Sequence, residues 1–184
     1  MMNPGLVQIY TGDGKGKTTC ALGAGLRAAG HGLEVLMISF MKAKLAVRDG
    51  GTEVNYGEFA STDQISNFTI IPVGRETFVD RENPDPIDIK MAQDGLRLAQ
   101  EAIREKKCDV LILDEINVAV EWNLISLHDQ LELIKDKPKE MELIMTGRYA
   151  QDEIIEAADL VTYMQEIKHY YEGHNLPARK GFEF

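Results

Sequence analysis

The chain has 184 residues, of which 44% are hydrophobic and 27% are charged, a composition that is ordinary for globular proteins and excludes fibrous and disordered classes. Its length fits one domain, so we predict that residues 1–184 form a single unit. The net charge of −10, from 20 basic and 30 acidic residues, and the lack of a dense Lys/Arg run in the sequence argue against nucleic acid as a partner.

Apolar runs rich in β-branched residues alternate with helical patterns along the chain. The predicted strands are residues 6–10, 34–40, 68–74, 109–115, 142–147 and 160–167, and the predicted helices are residues 17–30, 87–107, 126–136 and 151–158. Nearly continuous apolar strands separated by helices are typical of a parallel sheet that is covered on both faces. The sequence therefore predicts an α/β fold with a mostly parallel central sheet.

Three segments interrupt this alternation and are predicted to be irregular. Residues 41–67 and 75–86 are long, polar and punctuated by Gly or Pro, and residues 168–184 form a C-terminal tail. Loops of this length in a compact domain are usually functional or partly disordered. We therefore expect flexible loops over the carboxyl ends of the strands.

The stretch TGDGKGKTT, residues 11–19, lies between the first predicted strand and the first predicted helix; it is called the phosphate loop below. Its last part, Gly16-Lys17-Thr18, matches the end of the nucleotide-binding pattern G-x-x-x-x-G-K-[ST]. Thr11, however, stands where the pattern has its first glycine. The motif is therefore an imperfect match, and a glycine-rich turn without a ligand is the alternative.

The remaining glycines of the phosphate loop compensate for the missing one. Gly12 and Gly14 allow the unusual backbone angles with which successive N–H groups point at phosphate oxygens. Lys17 would place a positive charge on the phosphates, and Thr18 would offer its hydroxyl to Mg²⁺. The helix that begins here also presents the positive end of its dipole to an anion.

A second motif strengthens this interpretation. The run KCDVLILDE, residues 107–115, ends an apolar strand with Asp114 and Glu115. Carboxylates at the end of such a strand commonly meet Mg²⁺ in nucleotide-binding proteins, and the carboxyl ends of strands are where open α/β sheets bind ligands. Together the two motifs predict that the chain binds a nucleoside triphosphate with Mg²⁺.

These motifs leave the reaction open. Most proteins of this kind attack the γ-phosphorus, with a group that positions water and often an arginine that stabilises charge. Glu115 could position water, and Arg148, which follows a predicted strand, could be that arginine or could form a salt bridge with an acidic residue. An ATPase, a small-molecule kinase and a non-catalytic ATP-binding regulator are all compatible with the motifs.

Motifs along nearly the whole chain resemble those of one family. The sequence carries GDGKGKTT (12–19), ILDEIN (112–117), LIMTGR (143–148), ADLVTYM (158–164) and the closing ARKGFEF (178–184). In this order they resemble the ATP:cob(I)alamin adenosyltransferases of the P-loop type. The resemblance implies a RecA-like, three-layer fold and a reaction in which the cobalt of a reduced corrinoid attacks the 5′ carbon of ATP, so that the triphosphate leaves.

The resemblance also implies roles for individual residues. Lys17, Thr18 and Glu115 are the predicted catalytic residues, and Thr18, Asp114 and Glu115 are placed at the metal. Asn117 and Arg148 are expected to contact the substrates. Phosphate binding is assigned to Gly12, Asp13, Gly14, Lys15, Gly16, Lys17, Thr18 and Thr19.

Members of this family exclude the lower axial ligand of cobalt with bulky residues of a mobile loop. The matching region here is residues 74–83, GRETFVDREN, which supplies Phe78. The family pattern has a Trp close to that Phe, whereas the single Trp of this chain is Trp122. The chain also begins almost at its first strand, so an N-terminal segment that covers the site in some relatives is expected to be missing.

The resemblance further implies a homodimer and a flavoprotein that reduces the corrinoid. The sequence shows neither a secretory leader nor a stretch of about 18 apolar residues, so we expect a cytoplasmic protein with no membrane partner. Cys20 and Cys108 are expected to be small buried side chains. Lys42 and Glu58 in the long loop either contact nucleotide or corrinoid or are solvated charges.

Overall fold

A computed structural model describes residues 4–48, 52–174 and 176–184. Within these ranges the elements in chain order are β1 (Val7–Thr11), α1 (Lys17–Gly30), β2 (Val35–Phe40), β3 (Leu45–Arg48), β4 (Thr52–Asn55), α2 (Gly57–Thr62), β5 (Phe68–Val73), α3 (Pro86–Glu105), β6 (Val110–Asp114), α4 (Ile116–Glu121), α5 (Leu127–Asp136), β7 (Glu142–Thr146), α6 (Asp152–Ala157), β8 (Leu160–Tyr163) and α7 (Tyr170–His174).

The central sheet has six strands in the order β5-β2-β6-β7-β1-β8. All its pairings are parallel, which confirms the α/β class and makes the sheet wholly rather than mostly parallel. Ile9 of β1, for example, pairs with Met145 of β7 on one side and with Val161 of β8 on the other. The first strand of the chain therefore lies between two strands from its last third.

Helices cover both faces of this sheet, as the apolar strands predict. Alternate residues of β6 point to opposite faces: Val110 and Ile112 pack in the cluster that α1 covers, while Leu111 and Leu113 pack with α3, α4 and α5. Helix α1 packs closely against the sheet at Gly25. A Cβ at this position would lie only 2.8 Å from the Phe68 ring. The result is the expected three-layer α/β/α arrangement.

Capping side chains mark the first residues of α3 and α5. Asp85 caps α3 by accepting a hydrogen bond of 2.9 Å from the Ile87 N–H, and Pro86 occupies the first turn, where its missing N–H costs nothing. Ser126 caps α5 in the same way, at 3.1 Å from the Asp129 nitrogen. The predicted ranges of these two helices differ from the observed ones by two residues or fewer.

Residues 41–67 are not wholly irregular, and that prediction was wrong. The segment holds β3 and β4, which pair antiparallel, and the short helix α2; residues 49–51 of the predicted loop lie outside the described residues. The tail contains α7, and its residue 175 is also outside the described part. Strand β8 ends at Tyr163 rather than at residue 167.

The two cysteines, both expected to be buried, differ in exposure. Cys108 is buried as predicted, but Cys20 is exposed, because it lies on the open side of α1. Among the described helices, none combines the length and the apolar character that a bilayer crossing requires.

Candidate functional site

Most of the predicted site residues lie at the carboxyl ends of β1, β6 and β7, which are adjacent in the sheet. The phosphate loop follows β1, Glu115 follows β6, and Arg148 follows β7. A cavity of about 530 Å³ opens there, called the main cavity below. Its lining includes Lys15, Gly16, Lys17, Thr18, Thr19, Lys42, Tyr56, Glu58, Glu115 and the last four residues of the chain.

The phosphate loop adopts the conformation that its glycines permit. Gly12 and Gly16 have φ angles of 99° and 117°, which residues other than glycine rarely adopt. The loop also packs against the segment after β8: a Cβ on Gly12 would lie 2.5 Å from the Met164 carbonyl oxygen. The Gly14 N–H donates to that same oxygen at 2.7 Å. The Gly14 N–H is thus used within the protein. It does not point toward a phosphate, as was expected for successive N–H groups of the loop.

Lys17 lies buried within the curve of the loop. Its Nζ donates to the carbonyl oxygens of Gly12 and Gly14, at 2.7 and 2.8 Å. Burial lowers the pKa of Lys17, although the Glu115 carboxylate opposes this effect. The two neutral carbonyls do not fully compensate the buried positive charge of the ammonium. A phosphate group at the cavity would supply the missing negative charge.

Asp114 is completely buried, and both its carboxylate oxygens are engaged. Oδ1 accepts a hydrogen bond from the Thr146 hydroxyl at 2.7 Å, and Oδ2 accepts one from Lys42 Nζ, also at 2.7 Å. Thr146 in turn accepts from the Glu115 N–H at 3.0 Å. The hydroxyl of Thr146 thus ties the end of β6 to the end of β7.

Glu115 has a left-handed backbone conformation, with φ of 62°. This turn directs its carboxylate into the main cavity, while the preceding Asp114 remains inside the protein. In the described part of the chain, no donor forms a hydrogen bond with the Glu115 carboxylate. Burial and the Asp114 charge raise the pKa of Glu115, and three cations, Lys42, Lys17 and Arg148, oppose that shift. A bound cation would offset the cost of this buried charge.

Lys42 is a functional candidate for which the sequence allowed either a ligand contact or a solvated loop charge. It follows β2, and its ammonium forms an ion pair with Asp114 and lies 5.6 Å from the centre of the Tyr56 ring. Burial alone would lower the pKa of Lys42, but the Asp114 and Glu115 carboxylates outweigh burial and raise it. The side chain is a fixed cation in the wall of the main cavity rather than a solvated loop charge.

Arg148 borders the phosphate loop, as its position after β7 predicts. Its guanidinium donates to the Asp13 carbonyl oxygen at 3.2 Å. Together with Asp13, Gly14, Glu166 and other residues it lines a second cavity of about 300 Å³, to which Lys17 and Glu115 also contribute. The side chain is exposed, so it is free to turn toward a bound anion.

The C-terminal tail closes one side of the main cavity. Lys15 Nζ donates to the Phe182 carbonyl oxygen at 2.9 Å and lies 3.5 Å from the Glu183 carboxylate. Glu183 is held by Arg179 and by the Tyr170 hydroxyl, which together lower the pKa of its carboxyl to about 2. The Arg179 guanidinium stacks 4.8 Å from the centre of the Phe182 ring. This contact between tail and phosphate loop was not predicted.

Asn117 and Phe78, like Gly12 and Asp114, line neither of the two cavities. Asn117 is buried, and its side chain donates to the Gly147 carbonyl oxygen at 3.3 Å and accepts from Gln130 at 2.8 Å. Both ends of the amide are therefore occupied by protein groups. Phe78 is 68% exposed and borders a small cleft with Met41 and Lys42. Their contacts with substrate stay predictions.

The oxygen groups at the main cavity fit a magnesium ion that also binds phosphates. Mg²⁺ prefers oxygen ligands and is commonly held by one or two carboxylates together with substrate phosphates. The Thr18 hydroxyl and the unpaired Glu115 carboxylate both line the cavity, whereas the oxygens of Asp114 are engaged. The described residues contain no cluster of three or more His, Cys, Asp or Glu side chains suited to a metal, so substrate oxygens would complete the coordination.

Comparison with known proteins shows the family to which the chain belongs. A family model described as ATP:corrinoid adenosyltransferase BtuR/CobO/CobP matches residues 3–184. A corrinoid adenosyltransferase of Sinorhizobium sp is 33% identical over 98% of this chain and 80% of its own length. One of Pseudomonas aeruginosa is 31% identical over 98% of this chain and 84% of its own length. One of Escherichia coli is 27% identical over 98% of this chain and 86% of its own length. The chain therefore belongs to the ATP:corrinoid adenosyltransferase family.

Proposed function

We propose that the chain transfers the 5′-deoxyadenosyl group of ATP to the cobalt of reduced cob(I)alamin or a related corrinoid. In this reaction a cobalt–carbon bond forms at the 5′ carbon, the bond from that carbon to the triphosphate oxygen breaks, and triphosphate leaves with the electron pair. The observation that carries the proposal is the cavity between the phosphate loop and Glu115, in a chain whose family match spans residues 3–184.

The residues of the cavity fit the task of holding a leaving triphosphate. Negative charge grows on the leaving group as the carbon–oxygen bond breaks, and fixed cations and N–H groups stabilise such charge best when they are already in place. The buried ammonium of Lys17 would exchange its two carbonyl partners for phosphate oxygens when the triphosphate binds. The start of α1 adds the positive end of a helix dipole.

We propose that Mg²⁺ is bound with the nucleotide by the Thr18 hydroxyl and the Glu115 carboxylate. The ion would neutralise part of the triphosphate charge. The chain itself contributes the two oxygen ligands and the left-handed turn that presents Glu115 to the cavity. A reduced cobalt is already a strong nucleophile, so the protein needs no general base, and its main task is to position the 5′ carbon.

Further features are proposals too. A homodimer and a flavoprotein that reduces the corrinoid rest on the family resemblance, a single domain formed by the chain rests on its length, and a cytoplasmic location remains an expectation from the sequence. Phe78 is proposed to lie beside the lower face of the corrinoid, and its 68% exposure leaves it accessible for that contact.

An anaerobic assay tests the proposed reaction. The protein is mixed with MgATP and chemically reduced cobalamin, the cob(I)alamin spectrum is followed, and the phosphate product is identified. We expect adenosylcobalamin and triphosphate in equal amounts. ADP and phosphate would instead indicate a hydrolase or a kinase, and MgATP binding without any product would indicate a regulator.

The variant Lys17→Ala tests the role of the phosphate loop. We expect it to abolish adenosyl transfer, because the triphosphate loses its buried cation and binding of ATP fails. The measurement is turnover together with calorimetric binding of MgATP. Turnover equal to that of the wild type would refute the role of this loop.

The variant Phe78→Ala tests the corrinoid side of the site. We expect turnover to be lost while MgATP affinity is unchanged, since Phe78 does not line the main cavity. A loss of ATP affinity in this variant would place Phe78 at the nucleotide instead.

A further inference from the structure

The ion pair between Lys42 and Asp114 raises the question of what the lysine does at the cavity. Asp114 has no exposed surface, and its two oxygens are bound to Thr146 and Lys42. A carboxylate enclosed in this way does not reach a ligand unless one of the two contacts breaks. Lys42, by contrast, lines the main cavity together with Lys17, Thr18 and Glu115.

The ammonium of Lys42 keeps donors to spare. A lysine ammonium has three N–H donors, and among the described residues Asp114 is the one acceptor that hydrogen-bonds to Lys42 Nζ. The ring of Tyr56 flanks the ammonium on a further side, at 5.6 Å. The side chain is 16% exposed, and it lines both the main cavity and the small cleft beside Phe78.

We propose that Lys42 donates a hydrogen bond to an oxygen of the bound triphosphate, and that Asp114 is the positioning residue that holds Lys42 for this contact. The inference rests on the proposed function, because it takes the occupant of the main cavity to be a triphosphate. Asp114 is then not a metal ligand, which leaves Thr18 and Glu115 as the metal-binding groups of the chain.

Geometry favours the triphosphate over other parts of the substrates. The phosphate loop follows β1 and Lys42 follows β2, and both line the main cavity. Strand β6 lies directly beside β2 in the sheet, so the pair between Lys42 and Asp114 spans two neighbouring strand ends. A triphosphate held by the loop would thus meet a second, rigidly fixed cation, and such a pre-positioned charge contributes most where negative charge accumulates.

Four variants test this contact with inorganic tripolyphosphate and Mg²⁺ as the probe, measured by calorimetry. Lys42→Met removes the cation and leaves the buried Asp114 charge with only the Thr146 hydroxyl as its partner, which is destabilising. The double variant Lys42→Met with Asp114→Asn removes both charges together, and Asn keeps an oxygen that accepts from Thr146. Asp114→Asn alone keeps Lys42 but removes the negative charge that holds it. The control is Lys44→Met, since Lys44 is 62% exposed and its only ion pair in the described chain is with Asp63, at 3.7 Å.

We expect the double variant to bind tripolyphosphate about 10- to 100-fold more weakly than the wild type, the usual size of a hydrogen bond to a charged group. Asp114→Asn alone should weaken binding less, and Lys44→Met should leave it unchanged. If Lys42 only neutralises Asp114, the double variant will bind tripolyphosphate like the wild type, and the proposal is then wrong.

A second measurement does not depend on the folding of the variants. In the wild-type protein, tripolyphosphate with Mg²⁺ should slow the acetylation of Lys42 by an amine-specific reagent, read by mass spectrometry, and should leave Lys44 labelling unchanged. Equal labelling of Lys42 with and without tripolyphosphate would overturn the proposal. Neither measurement involves a corrinoid, so a failure of adenosyl transfer and a failure of the Lys42 contact are separate results.

Discussion

The variant Thr146→Val tests how the two acidic residues of the site are held. The Thr146 side chain is fully buried, and its hydroxyl donates to Asp114 Oδ1 at 2.7 Å and accepts from the Glu115 N–H at 3.0 Å. Valine has nearly the same shape but no hydroxyl. The variant therefore leaves a buried carboxylate oxygen without its donor and a partly buried N–H without its acceptor.

Two losses determine the size of the effect. A hydrogen bond to a charged group contributes about 1.5 to 3 kcal/mol, and a buried donor without a partner costs about 1 to 3 kcal/mol. Part of this is recovered because valine buries a methyl group in place of a hydroxyl, so we expect the free energy of unfolding to fall by about 3 kcal/mol. With a urea m-value of about 2 kcal/mol/M, the unfolding midpoint should fall by about 1.5 M.

Urea unfolding followed by circular dichroism measures this difference. The matched control is Thr146→Ser, which keeps the hydroxyl and loses one methyl group, at an expected cost of about 1 kcal/mol. The Val variant should also bind MgATP more weakly, because Glu115 loses the contact that fixes its backbone. If Thr146→Val is no less stable than Thr146→Ser, the hydroxyl does not hold the two strand ends together.

Two further predictions concern the phosphate loop and the tail. Gly12→Ala should abolish MgATP binding and lower the free energy of unfolding by at least about 2 kcal/mol, because the residue has positive φ and the new Cβ would meet a carbonyl oxygen. The control Gly23→Ala, where a Cβ meets nothing within 4 Å, should raise the free energy of unfolding by about 0.5 to 1 kcal/mol and leave MgATP binding unchanged. If calorimetry and urea unfolding show the same effects for both variants, the reasoning about Gly12 is refuted. Arg179 and Tyr170 lower the pKa of Glu183 to about 2, so the stabilising contribution of Glu183 is full above the ordinary glutamate pKa of about 4.3 and is lost as pH falls from there toward 2. Carbon NMR of the Glu183 carboxyl should show this low midpoint in the wild type and a higher one in Arg179→Met, whereas an ordinary wild-type midpoint would contradict the contact.

Local signals in the sequence were sufficient to predict most of the fold. Helix α1 occupies residues 17–30 as predicted, because a glycine-rich turn precedes it and an alanine-rich apolar stripe runs along it. The six central strands were predicted because each is a short apolar run between helices. Strands β3 and β4 were missed, since four-residue strands of mixed polarity carry little periodicity to detect.

The site was predicted in its parts but not in its connections. The phosphate loop and Glu115 could be identified because each belongs to a local motif. The pairing of Lys42 with Asp114 spans 72 positions, and the contact of Lys15 with Phe182 spans 167. Only the strand order of the folded sheet brings such residues together. The left-handed turn at Glu115 was also missed, because the sequence has no glycine there to indicate it.

The place of β1 in the sheet has a consequence for how the protein folds during synthesis. Strand β1 and the phosphate loop leave the ribosome before the other strands of the sheet, yet β1 pairs with β7 and β8, whose residues follow more than 130 positions later. Pairing over such separations is slow, because a long loop must close before any contact forms. The Met164 carbonyl that binds Gly14 arrives later still. The phosphate loop, residues 11–19, therefore takes its final shape only after Met164 has been made.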